Sequence, residues 1–338
     1  MVRRGPRSQI LYSQRFSNES RFANFIMFRY AYKVMNHSSQ LKAILKASGW
    51  SQEELARRLN VSFVTINAWV NERAVPRKKA VESIRILYFE ILGADSLDIG
   101  TLEELNGKIK YLKTTVREII DNDEVLNSLI LNLTYHTNTI EGSTMTLDDT
   151  KEVLFNNKIL TNRTQAEQAE ALNHRAALLW ILDELEKKDF VISEDLVKGL
   201  NLRLMNGIMT NAGQYRNHSV RVMGAHVTVA NFLRVPELME ELMNGLGKPS
   251  KDLITLISTT HATFEKIHPF SDGNGRVGRL LMLAQALQAG FVPPIVLKER
   301  KYAYYKYLEL AQANDNSMPL QIFVADSMIA ADELLFES

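Results

Sequence analysis

Apolar residues recur at helical spacing along most of this chain, and a single short stretch alternates as a strand would. Leu105, Ile109, Leu112, Val116 and Ile119 share one helix face, and Leu253, Leu256, Ile257, Ala262 and Phe264 repeat the pattern. The exception lies at residues 220–229, where Val220, Val222, Val227 and Val229 alternate around Gly224 and predict one hairpin. The expected fold is all-α with a small β-hairpin. A length of 338 residues with 46% apolar side chains gives two or three structural units with a substantial core.

A formal net charge of +1 implies no global affinity for nucleic acid or acidic membranes, though it leaves room for a local basic patch. Having no cysteine, the chain has no disulfide, thiol nucleophile or cysteine-held metal, which fits a reducing compartment and a cytoplasmic location. Residues 280–297 carry no charge and approach the length of a membrane span. Gln285, Gln288, Gly290 and the Pro293-Pro294 pair interrupt them, so they read as a buried helix and a turn, with no membrane partner. Residues 1–38 are basic, with Arg3, Arg4, Arg7, Arg15, Arg21, Arg29 and Lys33 against Glu19. They read as a flexible arm, because the apolar stretch 22–28 is too short for a secretory signal.

Residues 39–92 read as a compact helical unit. Ser51 and Glu54 form the pattern of a capping box, Leu55 and Leu59 give the apolar face, and Asn60 ends that helix. Ser62 then starts another, which turns Ile66 and Trp69 inward, and Pro76 marks a stop. Residues 93–122 read as an amphipathic connection, and 123–338 as one larger helical domain.

The densest chemistry is the run His268, Pro269, Phe270, Ser271, Asp272, Gly273, Asn274, Gly275, Arg276, Val277, Gly278, Arg279, set between two apolar helical patterns. Pro269 ends the first helix, and Gly273 and Gly275 allow a tight turn. A helix that starts there offers unpaired N–H groups and the positive end of its dipole to an anion. Arg276 and Arg279 add charge, Asn274 can donate to a phosphate oxygen, and Asp272 suits a Mg2+ ion held between protein and phosphates. His268 can accept a proton near neutral pH. Base, carboxylate, amide, glycines and arginines within twelve residues describe phosphate binding beside a general base.

This run resembles the signature of the Fic family, H-P-F-x-D-G-N-G-R-x-x-R, at every fixed position, over a domain that would extend from about residue 123 to the C-terminus. The resemblance implies an all-α Fic fold with a hairpin flap and, usually, adenylyl transfer from ATP to a Ser, Thr or Tyr hydroxyl of a target protein. It further implies that His268 deprotonates the hydroxyl and that Asp272 holds Mg2+. Gly273, Asn274 and Gly275 would form the anion hole, and Arg276 and Arg279 would grip the outer phosphates.

Upstream, Thr137 and Glu141 lie four apart on one helix face, followed by Gly142. The stretch resembles the family's inhibitory motif, S/T-x-x-x-E-G/N, which implies that Glu141 pairs with Arg279 and keeps the γ-phosphate from its productive position. An ordinary helix end capped by Gly142 is the alternative. Gly213, Gln214, Tyr215 and Arg216 resemble the element preceding the family's target flap. The flap would comprise Val220, Arg221, Val222, Met223, Gly224, Ala225, His226 and Val227, whose exposed strand could align an extended target segment. An ordinary surface hairpin fits the residues equally. Tyr304 and Tyr305 fall where the family often places aromatic residues near the nucleotide, although tyrosines at such spacing commonly belong to a core.

Residues 41–76 resemble a Cro/repressor-type helix-turn-helix, which implies DNA contact from Ser62, Phe63, Thr65, Asn67, Asn71 and Arg73, with Arg77, Lys78 and Lys79 near phosphates. A docking or dimerisation module is the alternative, and a homodimer would suit either. Three functions therefore stand open: an adenylyltransferase restrained by Glu141; a DNA-binding regulator that uses the second domain for nucleotide sensing or self-modification; and an enzyme that removes AMP.

Overall fold

The computed structural model describes residues 37–92, 99–221, 227–246, 252–313 and 316–336. The basic arm therefore lies outside the described residues up to position 36.

Four helices make the N-terminal unit: α1 (His37–Ser48), α2 (Gln52–Arg58), α3 (Phe63–Val70) and α4 (Lys78–Leu92). Leu41, Ile44, Leu55, Ile66, Trp69 and Ile84 are buried between them. Ser51 caps α2 by accepting from the Glu54 N–H at 3.2 Å, but the reciprocal half of the box is replaced by an ion pair from Glu54 to Arg58 at 2.8 Å. Asn60 turns the chain with a left-handed φ of 52°, and Ser62 caps α3 through the Thr65 N–H.

The connection read as one amphipathic stretch divides into α5 (Ile99–Ile109) and α6 (Val116–Ile120). Thr115 and Glu118 form a reciprocal capping box that starts α6 afresh. The residues between pair with a distant turn instead of continuing the helix: Thr114 N–H donates to Gly290 O at 3.2 Å, and Val292 N–H to Leu112 O at 3.0 Å. This antiparallel bridge, Lys113 to Phe291, is the β pairing present among the described residues.

The larger unit comprises α7 (Asp123–Ile140), α8 (Leu147–Asn156), α9 (Gln165–Leu185), α10 (Glu194–Leu204), α11 (Val235–Leu246), α12 (Leu253–Ile267), α13 (Asn274–Gln288), α14 (Lys301–Ala313) and α15 (Met318–Phe336). At its centre is α13, buried on every side from Val277 to Leu287 and packed on α7, α9, α10 and α12. The uncharged stretch is thus a core helix followed by a turn at Gly290. No helix of the described residues is long and apolar enough to cross a membrane. α14 also packs on α4, bringing the N-terminal unit against the larger one.

The expected hairpin is not seen among the described residues. Val220, Arg221 and Val227 carry no strand pairing, while Val222, Met223, Gly224, Ala225 and His226 lie outside the described residues. Alternating valines do not make a ladder by themselves; here backbone groups at either end of this segment bond to the helical core.

Candidate functional site

The site is built where α12 gives way to α13. His268 ends α12 with φ 52° and ψ 61°, and its N–H donates to Phe264 O at 2.9 Å. This left-handed turn reverses the chain towards Gly273, whose φ of 81° precedes α13. A network of polar side chains holds the loop. Asn201 Nδ2 donates to Asp272 O at 2.9 Å, while Asn201 Oδ1 accepts from Gly213 N–H. Asn211 Nδ2 donates to Ser271 Oγ at 2.8 Å. Phe270 is buried against Tyr215, whose hydroxyl donates to Glu194.

Arg216, named in the sequence only as part of a motif, is the principal clamp. Its Nε donates to His268 O at 2.7 Å, and its terminal nitrogens donate to His218 O at 2.9 Å and Ala230 O at 2.5 Å. Its N–H donates to Pro269 O at 2.9 Å, and Ala230 N–H to Lys266 O at 3.0 Å. The segment holding the expected flap is therefore anchored at both ends beside His268.

The Asn274 side chain is engaged within the loop: Oδ1 accepts from Phe270 N–H and Nδ2 donates to Phe270 O, both at 2.9 Å, which uses one of the two N–H bonds of Nδ2. The side chain staples the loop and is buried with it. What the first turn of α13 can offer an anion is backbone N–H: no side chain caps this helix.

Over that turn lies the carboxylate of Glu141. A Cβ on Gly275 would run into Glu141 Oε1. Glu141 is the C-cap residue of α7, and its Oε1 accepts from Arg279 at 2.5 Å; Arg279 Nε also donates to Thr137 Oγ1. The expected trio of Thr137, Glu141 and Arg279 is thus together. Gly142 follows with φ 113° and its N–H on Thr139 O, giving the left-handed exit that the helix-end alternative also required. Burial raises the Glu141 carboxyl, but Arg279, and then Arg276 and Lys301, outweigh it and hold the group below the usual carboxylate range.

Arg276 and Arg279 are both buried. Arg276 pairs with Glu170 at 3.0 Å and lies 3.6 Å from Asp272. Arg276 Nε and one terminal nitrogen of Arg279 make no hydrogen bond, so the site retains buried donors that an anion could satisfy. Asp272 is largely exposed, with Oδ1 accepting from Gly273 N–H at 2.6 Å. The described residues contain no group of three or more metal-ligating side chains. A single carboxylate suits an ion that arrives with phosphate oxygens.

Burial lowers the His268 imidazole below its ordinary value, so the ring is neutral at pH 7. The two tyrosines divide. Tyr304 is core: its hydroxyl hydrogen-bonds His261 Nε2 at 2.6 Å, and its ring packs on Phe323. Tyr305 is partly exposed, and its phenol is raised by burial and then by the Glu141 charge.

In the N-terminal unit, the candidate DNA-contact side chains largely bond one another. Ser62 and Thr65 hydroxyls pair at 2.8 Å, Asn67 Nδ2 donates to Gln52, Arg73 donates to Asn67 Oδ1, and Asn71 donates to Asn67 O. Phe63 stands exposed at the start of α3 beside Val64.

The Fic/DOC family model matches residues 191–286, and a helix-turn-helix model matches 41–85. A protein adenylyltransferase Fic of Drosophila ananassae is 30% identical over 234 residues, 68% of this chain and 46% of that protein. One of Nematostella vectensis is 34% identical over 189 residues, 54% of this chain and 43% of its own length. The chain thus spans less than half the length of the curated relatives it matches. Among solved structures, a Fic domain containing signaling protein from Bacteroides thetaiotaomicron aligns with TM-score 0.58 and 22% identity, covering 70% of this chain and 98% of that one. Fic-1 from C. elegans aligns with TM-score 0.59 and 22% identity, covering 92% and 91%.

Proposed function

We infer that this chain, which carries a Fic/DOC domain behind a Cro/repressor-type helix-turn-helix domain, transfers the AMP part of ATP to a hydroxyl side chain of a protein, and that Glu141 restrains it. The observation that carries this reading is the Glu141 carboxylate lying on the first turn of α13 and bonded to Arg279. An anion already sits where a helix N-terminus and buried arginines attract one. ATP as donor is supported by curated relatives named protein adenylyltransferase.

In this reading Asn274 and Gly275 present backbone N–H groups to the phosphates, Gly273 joins them once its N–H leaves the Asp272 carboxylate, and Arg276 and Arg279 hold the β- and γ-phosphates. His268, neutral and seated at the end of α12, takes the proton of the attacking hydroxyl. Asp272 would hold Mg2+, which offsets phosphate charge when bound. The hydroxyl oxygen bonds to the α-phosphorus and pyrophosphate leaves. Fixed N–H groups and the two arginines meet the charge that develops on the phosphate oxygens, and being buried they need little reorganisation. A target segment would lie along Val220 and Arg221, next to the clamp at Arg216. Tyr305 would line the nucleotide.

The chemistry is tested with ATP labelled at the α- or the γ-phosphate, incubated with Glu141→Gly and cell lysate. Protein labelled from the α-phosphate alone is expected. Label from the γ-phosphate would replace adenylyl transfer by phosphoryl transfer.

A further inference from the structure

Glu265 has no role in the proposed transfer, yet its side chain is only 10% exposed and lies against the proposed base. It stands three residues before His268 on the last turn of α12, and its Oε2 lies 3.7 Å from His268 Nδ1. That separation is just beyond a hydrogen bond, and catalytic hydrogen bonds are often long before substrate arrives. Neither His268 Nδ1 nor Glu265 Oε1 has a hydrogen-bond partner, and both atoms are cut off from solvent. Three other charges act on the ring: Arg216 is a donor occupied by backbone carbonyls, Glu141 is bonded to Arg279, and Asp272 accepts from Gly273 N–H; the Glu265 main-chain carbonyl also favours a proton on the ring. The backbone of His268 is fixed on both sides, its N–H on Phe264 O and its carbonyl on Arg216, so little beyond the ring torsions stays adjustable.

The space for this carboxylate is made by α13. A Cβ at Gly278 would come within 2.9 Å of Glu265 Oε1 and 2.9 Å of His261 Nδ1. His261 is itself held by Tyr304 through Nε2 at 2.6 Å. Burying a carboxyl group is costly, and a site with no hydrogen bond to Oε1 does little to offset it. Such a group calls for a partner, and the imidazole is in reach.

We propose that Glu265 is a positioning residue for His268: its carboxylate accepts from Nδ1–H, turns the imidazole and leaves Nε2 free to take a proton. The inference rests on the reading of His268 as the base. When the target hydroxyl attacks, its oxygen forms a bond to the α-phosphorus and the bond from that phosphorus to the bridging oxygen breaks, releasing pyrophosphate. The hydroxyl proton passes to Nε2, and the imidazolium so formed is offset by the carboxylate behind it. The arrangement parallels the acid–imidazole pairing that selects the productive tautomer in hydrolytic triads. Burial, with the Glu141 charge adding and the Arg279 charge opposing, raises the Glu265 carboxyl to about 8, so the charged pair is best examined above that pH.

The direct test reads the ring without any turnover. Nitrogen chemical shifts of the full-length protein at pH 9, with His268 assigned against His268→Ala, should show the Nδ1–H tautomer in the parent and the Nε2–H tautomer in Glu265→Met. A parent ring in the Nε2–H form, or Nδ1–H persisting in Glu265→Met, overturns the proposal. The parent spectrum stays decisive should the methionine variant fail to fold. In a Glu141→Gly background at pH 9, Glu265→Met should lower the rate of α-phosphate label transfer about 100-fold while the KM for ATP stays within about twofold. Glu265→Gln, which keeps an acceptor of the same length, should recover part of that loss. Unchanged turnover in both variants would refute the positioning role. Absence of label in the Glu141→Gly parent itself would instead remove the adenylyl reading, with the ring tautomer still deciding the place of Glu265.

Discussion

Replacing Glu141 by glutamine should weaken the fold while opening the site. Arg279 is buried and its charge is met by Glu141. Removing one partner of a buried ion pair typically costs about 3–5 kcal/mol. About half of that applies here, ~1.5–2.5 kcal/mol, because the Glu141 side chain keeps 32% of its surface in solvent and Arg279 retains Thr137. For a domain of this size such a loss lowers the melting temperature by about 3–10 °C. The sign with pH follows from the lowered carboxyl: its contribution is complete above the ordinary value of 4.5 and fades as pH falls through the folded value. The gap between parent and variant should therefore narrow below pH 4.5. Mg2+ and ATP should raise the melting temperature of the variant by more than that of the parent, because the ligand no longer displaces a carboxylate. The assay is a thermal melt followed by circular dichroism, with and without nucleotide. A variant that melts at or above the parent's temperature at pH 7, or gains no more from ATP, would refute the reasoning.

Arg216→Met removes a clamp of charge-assisted bonds to His268, His218 and Ala230 carbonyls, and should cost about 3 kcal/mol, read as a lower denaturation midpoint. An unshifted midpoint would deny Arg216 that role. Asn274→Ala leaves both backbone groups of buried Phe270 unpaired and should cost about 2 kcal/mol together with a clear loss of ATP affinity by calorimetry, whereas retained affinity would show that the staple is dispensable. For the N-terminal unit, the helix-turn-helix match leads us to expect retardation of duplex DNA that weakens steeply with added salt, and no retardation at low salt would favour a docking module.

Much of the site is legible in the sequence because its parts are contiguous. His268 to Arg279 fit between two apolar helical patterns, and spacing alone puts Thr137 and Glu141 on one face of α7. What spacing does not carry is the partner of a polar group. Arg216 acts on carbonyls that include His268, fifty-two positions away, and the side chain of Asn274 bonds four residues back to both backbone groups of Phe270. Glu265 could have been noticed from its i,i+3 relation to His268, but a glutamate at a helix end ordinarily faces water. Adjacent tyrosines on α14 point a third of a turn apart, which separates buried Tyr304 from Tyr305. The break between α5 and α6 arises from the Thr115 capping box and the pairing with residues 290–292, a contact no local pattern reveals.

The central claim is an adenylyl-transfer site restrained by Glu141 and served by His268. It is tested most directly by incubating the parent, Glu141→Gly, and Glu141→Gly combined with His268→Ala with lysate, Mg2+ and ATP labelled at the α-phosphate. Strong protein labelling by Glu141→Gly, little by the parent and none by the double variant is the predicted result. Equal labelling by parent and Glu141→Gly, or no label from any of the three while ATP is bound, would contradict the account.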